Sequence, residues 1–142
     1  RDSRKHAPAT KQAGALCRGG TTKIQDGALR VTPAPKSKNG PFLVKNGLKL
    51  QGKFTATLKI RTEQDGPVGI SWRLGQQKDF VPGQIINTTA KASPDLQTIT
   101  LDVPADGTTV HLRLLLPNHP VTVSTVTFKD ANKTTTWNPA KN

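Results

Sequence analysis

Hydrophobic and polar residues alternate along most of this chain in short blocks, and the blocks are separated by turn residues. Residues 54–62 (FTATLKIRT) set Phe54, Ala56, Leu58 and Ile60 on one side and Thr55, Thr57, Lys59 and Arg61 on the other, the period of two expected of a strand with one buried face. Residues 68–74 repeat the pattern, with Val68, Ile70, Trp72 and Leu74 opposite Gly69, Ser71 and Arg73. Further strand-like runs occupy 84–88, 96–103 (LQTITLDV), 109–116 (TVHLRLLL), 121–129 (VTVSTVTFK) and 134–137. Upstream, 23–25 and 28–32 flank Asp26-Gly27, a tight hairpin signal, and residues 41–45 (PFLVK) follow the loop 33–40 (PAPKSKNG). No helix-length segment falls between Gly52 and Asn138, and no internal repeat is present. Roughly nine to ten strands at this spacing predict an all-β antiparallel β-sandwich or jelly roll.

The first twenty residues break the pattern. They mix charge, alanine, Pro8 and three glycines, and their one helix-compatible run, 10–18, is interrupted by Gly14, which is unfavourable in a helix. Residues 1–20 are therefore expected to be a basic linker or weakly structured lead, and residues 21–142 the sandwich. A chain of 142 residues is long enough to bury a core as one domain. It holds no Met and opens Arg1-Asp2-Ser3, which leaves a processed product or a segment of a longer polypeptide, the segment being the one expected. No run reaches the ~18–20 apolar residues of a membrane span, and no membrane partner is expected.

Charge changes the picture most. The formal net charge is +12 and the sequence pI near 10.4, which favours polyanionic partners: nucleic acid, an anionic surface, or sulfated and uronic polysaccharide. Residues 1–45 hold ten Lys and Arg against Asp2 and Asp26, and residues 46–142 hold eleven against seven acids. Much of the excess therefore sits in the first third of the chain.

If Leu58, Ile60, Val110, Leu112 and Leu114 face the core, alternation turns Lys59, Arg61, His111 and Arg113 outward, and Arg73 with them. Two readings stay open for them: the charged wet face of any soluble sheet, or three arginine forks at strand spacing that match the sulfates or carboxylates of a repeating acidic sugar. Lys59, His111, Gln77 and Lys78 would form the rim. Trp72 shares the parity of Val68 and Ile70, which leaves two readings open: a core indole, or a partly exposed ring under a sugar's C–H face. Trp137 and Phe128 are expected in the core or on an edge strand.

Catalytic constellations are thin. The nine carboxylates lie mainly in turns (Asp26, Asp65, Asp95, Asp106, Asp130), where local hydrogen bonding to the backbone explains them. His6, His111 and His119 have no metal-ligand spacing, and Cys17, the only cysteine, cannot form an intrachain disulfide. No glycine-rich phosphate loop occurs. The chain is expected to be non-catalytic and without a cofactor, a structural calcium ion being left open. Three functions compete: a binding module for anionic polysaccharide, a docking domain that packs on a parent enzyme without binding glycan, and a charge-driven nucleic-acid binder. With 4% aromatic residues and no Tyr, stacking platforms for single strands are scarce, which disfavours the third.

The order of short motifs carries a resemblance. Gln25-Asp26-Gly27-Ala28-Leu29-Arg30-Val31, Gly40-Pro41-Phe42-Leu43, Lys59-Ile60-Arg61-Thr62, Val68-Gly69-Ile70-Ser71-Trp72-Arg73, Gln77-Lys78-Asp79-Phe80 and Val110-His111-Leu112-Arg113, with Trp137 near the end, together resemble the accessory β-sandwich domain that follows the catalytic domain in many sulfatases of marine planctomycetes and their relatives. The match spans about residues 24–138. It implies a secreted or periplasmic bacterial, carbohydrate-binding-like module that serves an enzyme acting on sulfated polysaccharide, with that enzyme's catalytic domain as a partner. The sulfatase's own formylglycine signature is not part of this chain, since Cys17-Arg18-Gly19-Gly20 does not fit it.

Overall fold

Period-two patterning becomes twelve strands and no helix over residues 14–141, the part of the chain that the computed structural model describes. The strands are β1 Cys17–Arg18, β2 Gly20–Gln25, β3 Ala28–Pro33, β4 Phe42–Lys45, β5 Leu50–Gln51, β6 Phe54–Thr62, β7 Gly66–Leu74, β8 Ile85–Ala90, β9 Gln97–Val103, β10 Thr108–Leu115, β11 Val121–Lys129 and β12 Thr134–Trp137. All ten runs read from alternation are strands. The two extra ones, β1 and β5, have two residues each, too few for a period of two to register. His6 and the start of the helix-compatible run lie outside the described residues.

The strands form two six-stranded antiparallel sheets. The front sheet runs β1-β4-β10-β7-β8 with β5 also on β10, and the back sheet runs β2-β3-β11-β6-β9 with β12 also on β11. Eight of them, β4-β10-β7-β8 facing β3-β11-β6-β9, are ordered as in a jelly roll, two interlocked Greek keys. At the β2–β3 hairpin Asp26 (φ 55°) and Gly27 (φ 78°) are both left-handed, as a two-residue turn with the right twist requires.

Inward side chains of both sheets fill the space between them. Leu29, Leu43, Leu58, Ile60, Ile70, Leu112, Leu114 and Phe128 are fully buried. Phe128 stacks on Trp137 (6.4 Å, 17°) and meets Phe54 edge-on (6.1 Å), so both expected core aromatics are in the core. Two bulges reset the alternation. One lies between Thr109 and His111 in β10; it buries Thr109 and leaves Val110, expected in the core, only half-buried. The other, between Val123 and Thr125, lets Val121 and Val123 face inward on one side of it and Val126 and Phe128 on the other.

The sandwich begins earlier than expected. Ala15 and Cys17 are buried in the core, β1 pairs with β4, and the Ala15 N–H donates to the Pro139 carbonyl at 2.8 Å. Ordered packing thus reaches back into the stretch read as lead, and a boundary at residue 20 falls inside the domain. Asp130 serves its turn, as expected, by accepting the backbone N–H groups of Asn132 and Lys133, and also accepts that of Gln51 on β5, each at 2.8 Å.

Candidate ligand-binding face

Cross-strand register decides which outward side chains meet. On the front sheet one row reads Ile85, Ser71, Arg113, Val44 across β8, β7, β10 and β4. A second pairs Arg73 with His111. A third reads Asn87, Gly69, Leu115, Phe42, Arg18. Gly69 is required here, because a Cβ would stand 2.5 Å from the Ile86 carbonyl oxygen and 2.7 Å from the Asn87 Cβ. Three arginines (Arg18, Arg73 and Arg113), a histidine and several apolar groups therefore share one open face.

The loop 75–84 lays a ring over that face. Phe80 covers Arg113, its ring centroid 3.9 Å from the guanidinium carbon, and Phe42 lies on the same guanidinium at 4.8 Å. The two rings clamp Arg113 by cation–π contact while its planar fork keeps its hydrogen-bonding edge. Phe80 also meets His111 edge-on at 5.0 Å. His111 is held below its ordinary pKa by burial first and then by the charges of Arg73 and Arg113, and its Nε2 has no hydrogen-bond partner among the described residues. The charged imidazolium is thus disfavoured, and the unpartnered Nε2 is itself buried rather than presented at the surface. Beside it Leu16, Arg18, Phe42, Val44, His111 and Arg113 bound an open cleft of about 210 Å3.

The loop is braced from below. The Gln77 and Gln84 amides bond to each other reciprocally at 2.9 Å, Gln77 Oε1 accepts the Leu74 N–H at 3.0 Å, and Gln84 Nε2 donates to the Trp72 carbonyl at 2.8 Å. Arg73 Nη1 donates to the Gln77 carbonyl. Phe80 is therefore carried on a fixed base.

The structure separates the residues that alternation had grouped. Arg73, Arg113 and His111 meet on the front face. Arg61 and Lys59 lie on β6, on the outer face of the back sheet, a sandwich thickness away. Arg61, Arg73 and Arg113 therefore cannot line one site, and the third arginine of the front face is Arg18, which was not singled out from sequence. Trp72 points inward and is 4% exposed, so the core reading of this ring is the correct one and it offers no platform. Gln77 spends its amide on the loop brace, and Lys78 is exposed at the loop. The rings that do stand on the face, Phe42 and Phe80, were not singled out from sequence. Their signals were an outward parity beside Leu43 and an isolated aromatic in the polar loop QQKDFVPG. Among the described residues no cluster of three or more His, Cys, Asp or Glu is placed to hold a metal ion.

No protein-family model and no curated protein matches the sequence. Solved structures do match the fold. CBM29_1, a family 29 carbohydrate binding module from Piromyces equi, aligns with a TM-score of 0.58 at 15% identity over 77% of this chain and 74% of its own. A CBM29-2 variant complexed with cellulohexaose aligns with 0.53 at 15% identity over 78% and 75%. A CBM4 structure aligns with 0.53 at 16% identity over 92% of this chain and 81% of its own. At such identities the likeness is one of architecture: this chain shares the two-sheet β-sandwich of those modules.

Proposed function

We propose that this chain is a non-catalytic carbohydrate-binding module that holds an acidic polysaccharide across the outer face of its front sheet. The observation that carries the reading is Arg113, clamped between Phe42 and Phe80 beside Arg73 and His111. The ring surfaces and Val44, Leu115 and Ile85 suit the C–H faces of sugar rings, and the arginine forks suit a sulfate or carboxylate. A side chain already immobilised loses little freedom on binding. The likeness in fold to proteins named as carbohydrate binding modules supports the general reading, and the net charge of +12 supports an anionic ligand.

The finer reading is a sulfated polysaccharide, bound for a sulfatase or related polysaccharide-degrading enzyme to which this module is an accessory domain, in a secreted or periplasmic setting. Its support is the order of six short motifs between residues 24 and 138. Calorimetric titration against a neutral cello-oligosaccharide, a uronan, a sulfated galactan and a short DNA tests both levels. The expected result is binding of the acidic glycans that weakens with salt and is lost in Arg113→Ala. Salt-independent binding of the neutral glucan would remove the acidic part of the reading. DNA bound as well as glycan would indicate general polyanion affinity, and no glycan binding at all would leave a docking domain.

A further inference from the structure

The back sheet carries its own row of cations. Lys23 on β2 is directly opposite Arg30 on β3, Arg30 is opposite Thr122 on β11, and Thr122 is opposite Arg61 on β6. Arg30, Thr122 and Arg61 face outward, because Leu29, Val31, Ile60, Val121 and Val123 beside them are buried in the core, and Lys23, paired with Arg30, shares their side. Neighbouring strands lie about 4.8 Å apart, which sets Arg30 and Arg61 roughly 9–10 Å apart at their Cα atoms. Thr122 between them is only 4% exposed although it points out of the sheet. Arg30, Arg61 and Thr122 belong to the wall of a hollow of about 320 Å3 that Glu63, Ser93 and Pro120 help to close.

This arrangement is unfavourable for the protein alone. Like charges directly across a strand pair repel, and among the described residues Lys23, Arg30 and Arg61 have no ion-pair partner, whereas Lys91 pairs with Asp65 at 3.7 Å. Glu63 borders the hollow and forms no ion pair among the described residues. An anionic ligand lying across the strands would relieve the repulsion. The surroundings favour a hydroxyl-rich chain over a nucleic acid: the neighbouring outward positions are Thr55, Thr57, Lys59, Thr125 and Thr127, with no ring on which a base could stack.

We infer that Lys23, Arg30 and Arg61 form a second anion-binding strip for a sulfated or uronic polysaccharide, on the opposite side of the sandwich from the first, so that one module grips two chains. The ligand class rests on the function proposed above; the location does not depend on the front face. A bivalent module cross-links long polyanions, whereas a monovalent one only coats them.

The test is amide chemical-shift mapping with a heparin-derived tetrasaccharide at low salt, together with turbidity on mixing with dextran sulfate. The expected result is two separate sets of shifted amides, one around Arg73, His111 and Arg113 and one around Lys23, Arg30, Thr122 and Arg61, with turbidity near charge balance. Arg30→Ala/Arg61→Ala should abolish the second set and the turbidity while changing front-face affinity less than about twofold. Each single change should weaken the back strip by about three- to tenfold. Should the alanine pair fail to fold, Arg30→Lys/Arg61→Lys keeps the charge and loses the forks, and a partial loss is then expected. Shifts confined to the front face overturn the strip. Shifts confined to the back face uphold the strip but overturn the front-face reading and, with it, the grip on two chains. Displacement of the tetrasaccharide from the back strip by equimolar oligothymidylate overturns the polysaccharide as its ligand.

Discussion

Removing the Phe80 ring should loosen Arg113, and a double-mutant cycle of Phe80→Leu with Arg113→Gln measures by how much. The guanidinium carbon is 3.9 Å from the Phe80 centroid and 4.8 Å from that of Phe42. Cation–π pairs contribute ~0.5–1 kcal/mol when exposed and ~2 kcal/mol when desolvated. Arg113 is half-buried, so a coupling near 1 kcal/mol with Phe80 is expected, and a smaller one, about 0.5 kcal/mol, with Phe42 at its longer distance. The loop itself should stay in place, because the Gln77 and Gln84 amides hold its base. Urea unfolding of the four proteins gives the coupling. The same ring acts on affinity: an unclamped arginine must be immobilised by the ligand, at about 0.5–1.5 kcal/mol, so Phe80→Leu should weaken acidic-glycan binding by roughly three- to tenfold. A coupling within the ~0.3 kcal/mol scatter of additive sites, with affinity unchanged, would refute a pre-set arginine.

Three other outcomes are expected. The pKa of His111 is lowered from 6.5 by burial and by Arg73 and Arg113, so the unfolded chain binds the proton more readily and stability should fall as pH drops below about 6.5. A bound sulfate offsets those arginines, so affinity for a sulfated tetrasaccharide should rise between about pH 7.5 and 5.5 and His111→Gln should flatten that rise; an equal slope in both proteins would contradict the assignment. The Asp130 carboxyl is held below its ordinary 3.8 by the N–H groups of Gln51, then Asn132 and Lys133, so its contribution is present above the unfolded-state value and lost as pH falls through the folded one. Asp130→Asn should lower Tm at neutral pH, with the gap to the parent closing in acid. Burial pushes the Cys17 thiol from 9.0 to about 11; near pH 8 the native protein should react with a thiol-specific disulfide reagent at least ~100-fold more slowly than the urea-unfolded chain, and equal rates would place β1 outside the fold.

Fold class was legible because burial on one face of a strand writes itself into every second residue. The long strands β6, β7, β9, β10 and β11 carry that mark, and Asp26-Gly27 marks the first hairpin. The two bulges were harder to see. In VTVSTVTFK the apolar phase slips at Ser124-Thr125, but around Val110 the run still alternates, so only the backbone reveals that His111 sits one step out of register with Thr109. Parity shows which residues face outward and not on which sheet. That is why Arg61 separated from Arg73 and Arg113, and why the jelly-roll order, a long-range property, was needed to bring Arg30 to Arg61. Trp72 obeyed its parity. The functional rings were missed because Phe80 stands in a loop, where no periodicity applies, and reaches the face only through the Gln77–Gln84 brace.

The hydrogen bond from Ala15 to the Pro139 carbonyl places the chain's arrival in the domain against its departure from it. A jelly roll needs no particular starting point once those two places touch, because every sheet neighbour is already fixed by long-range pairing. A circularly permuted version, with a short glycine-serine link joining residues 14 and 141 and new termini at the exposed Gly83, should therefore keep the same topology. The same adjacency makes the domain a pendant: tension drawn through both ends would separate Ala15 from Pro139 and then peel β1 from β4 and β12 from β11 one pair at a time, before the long strands β6, β7 and β10 are loaded.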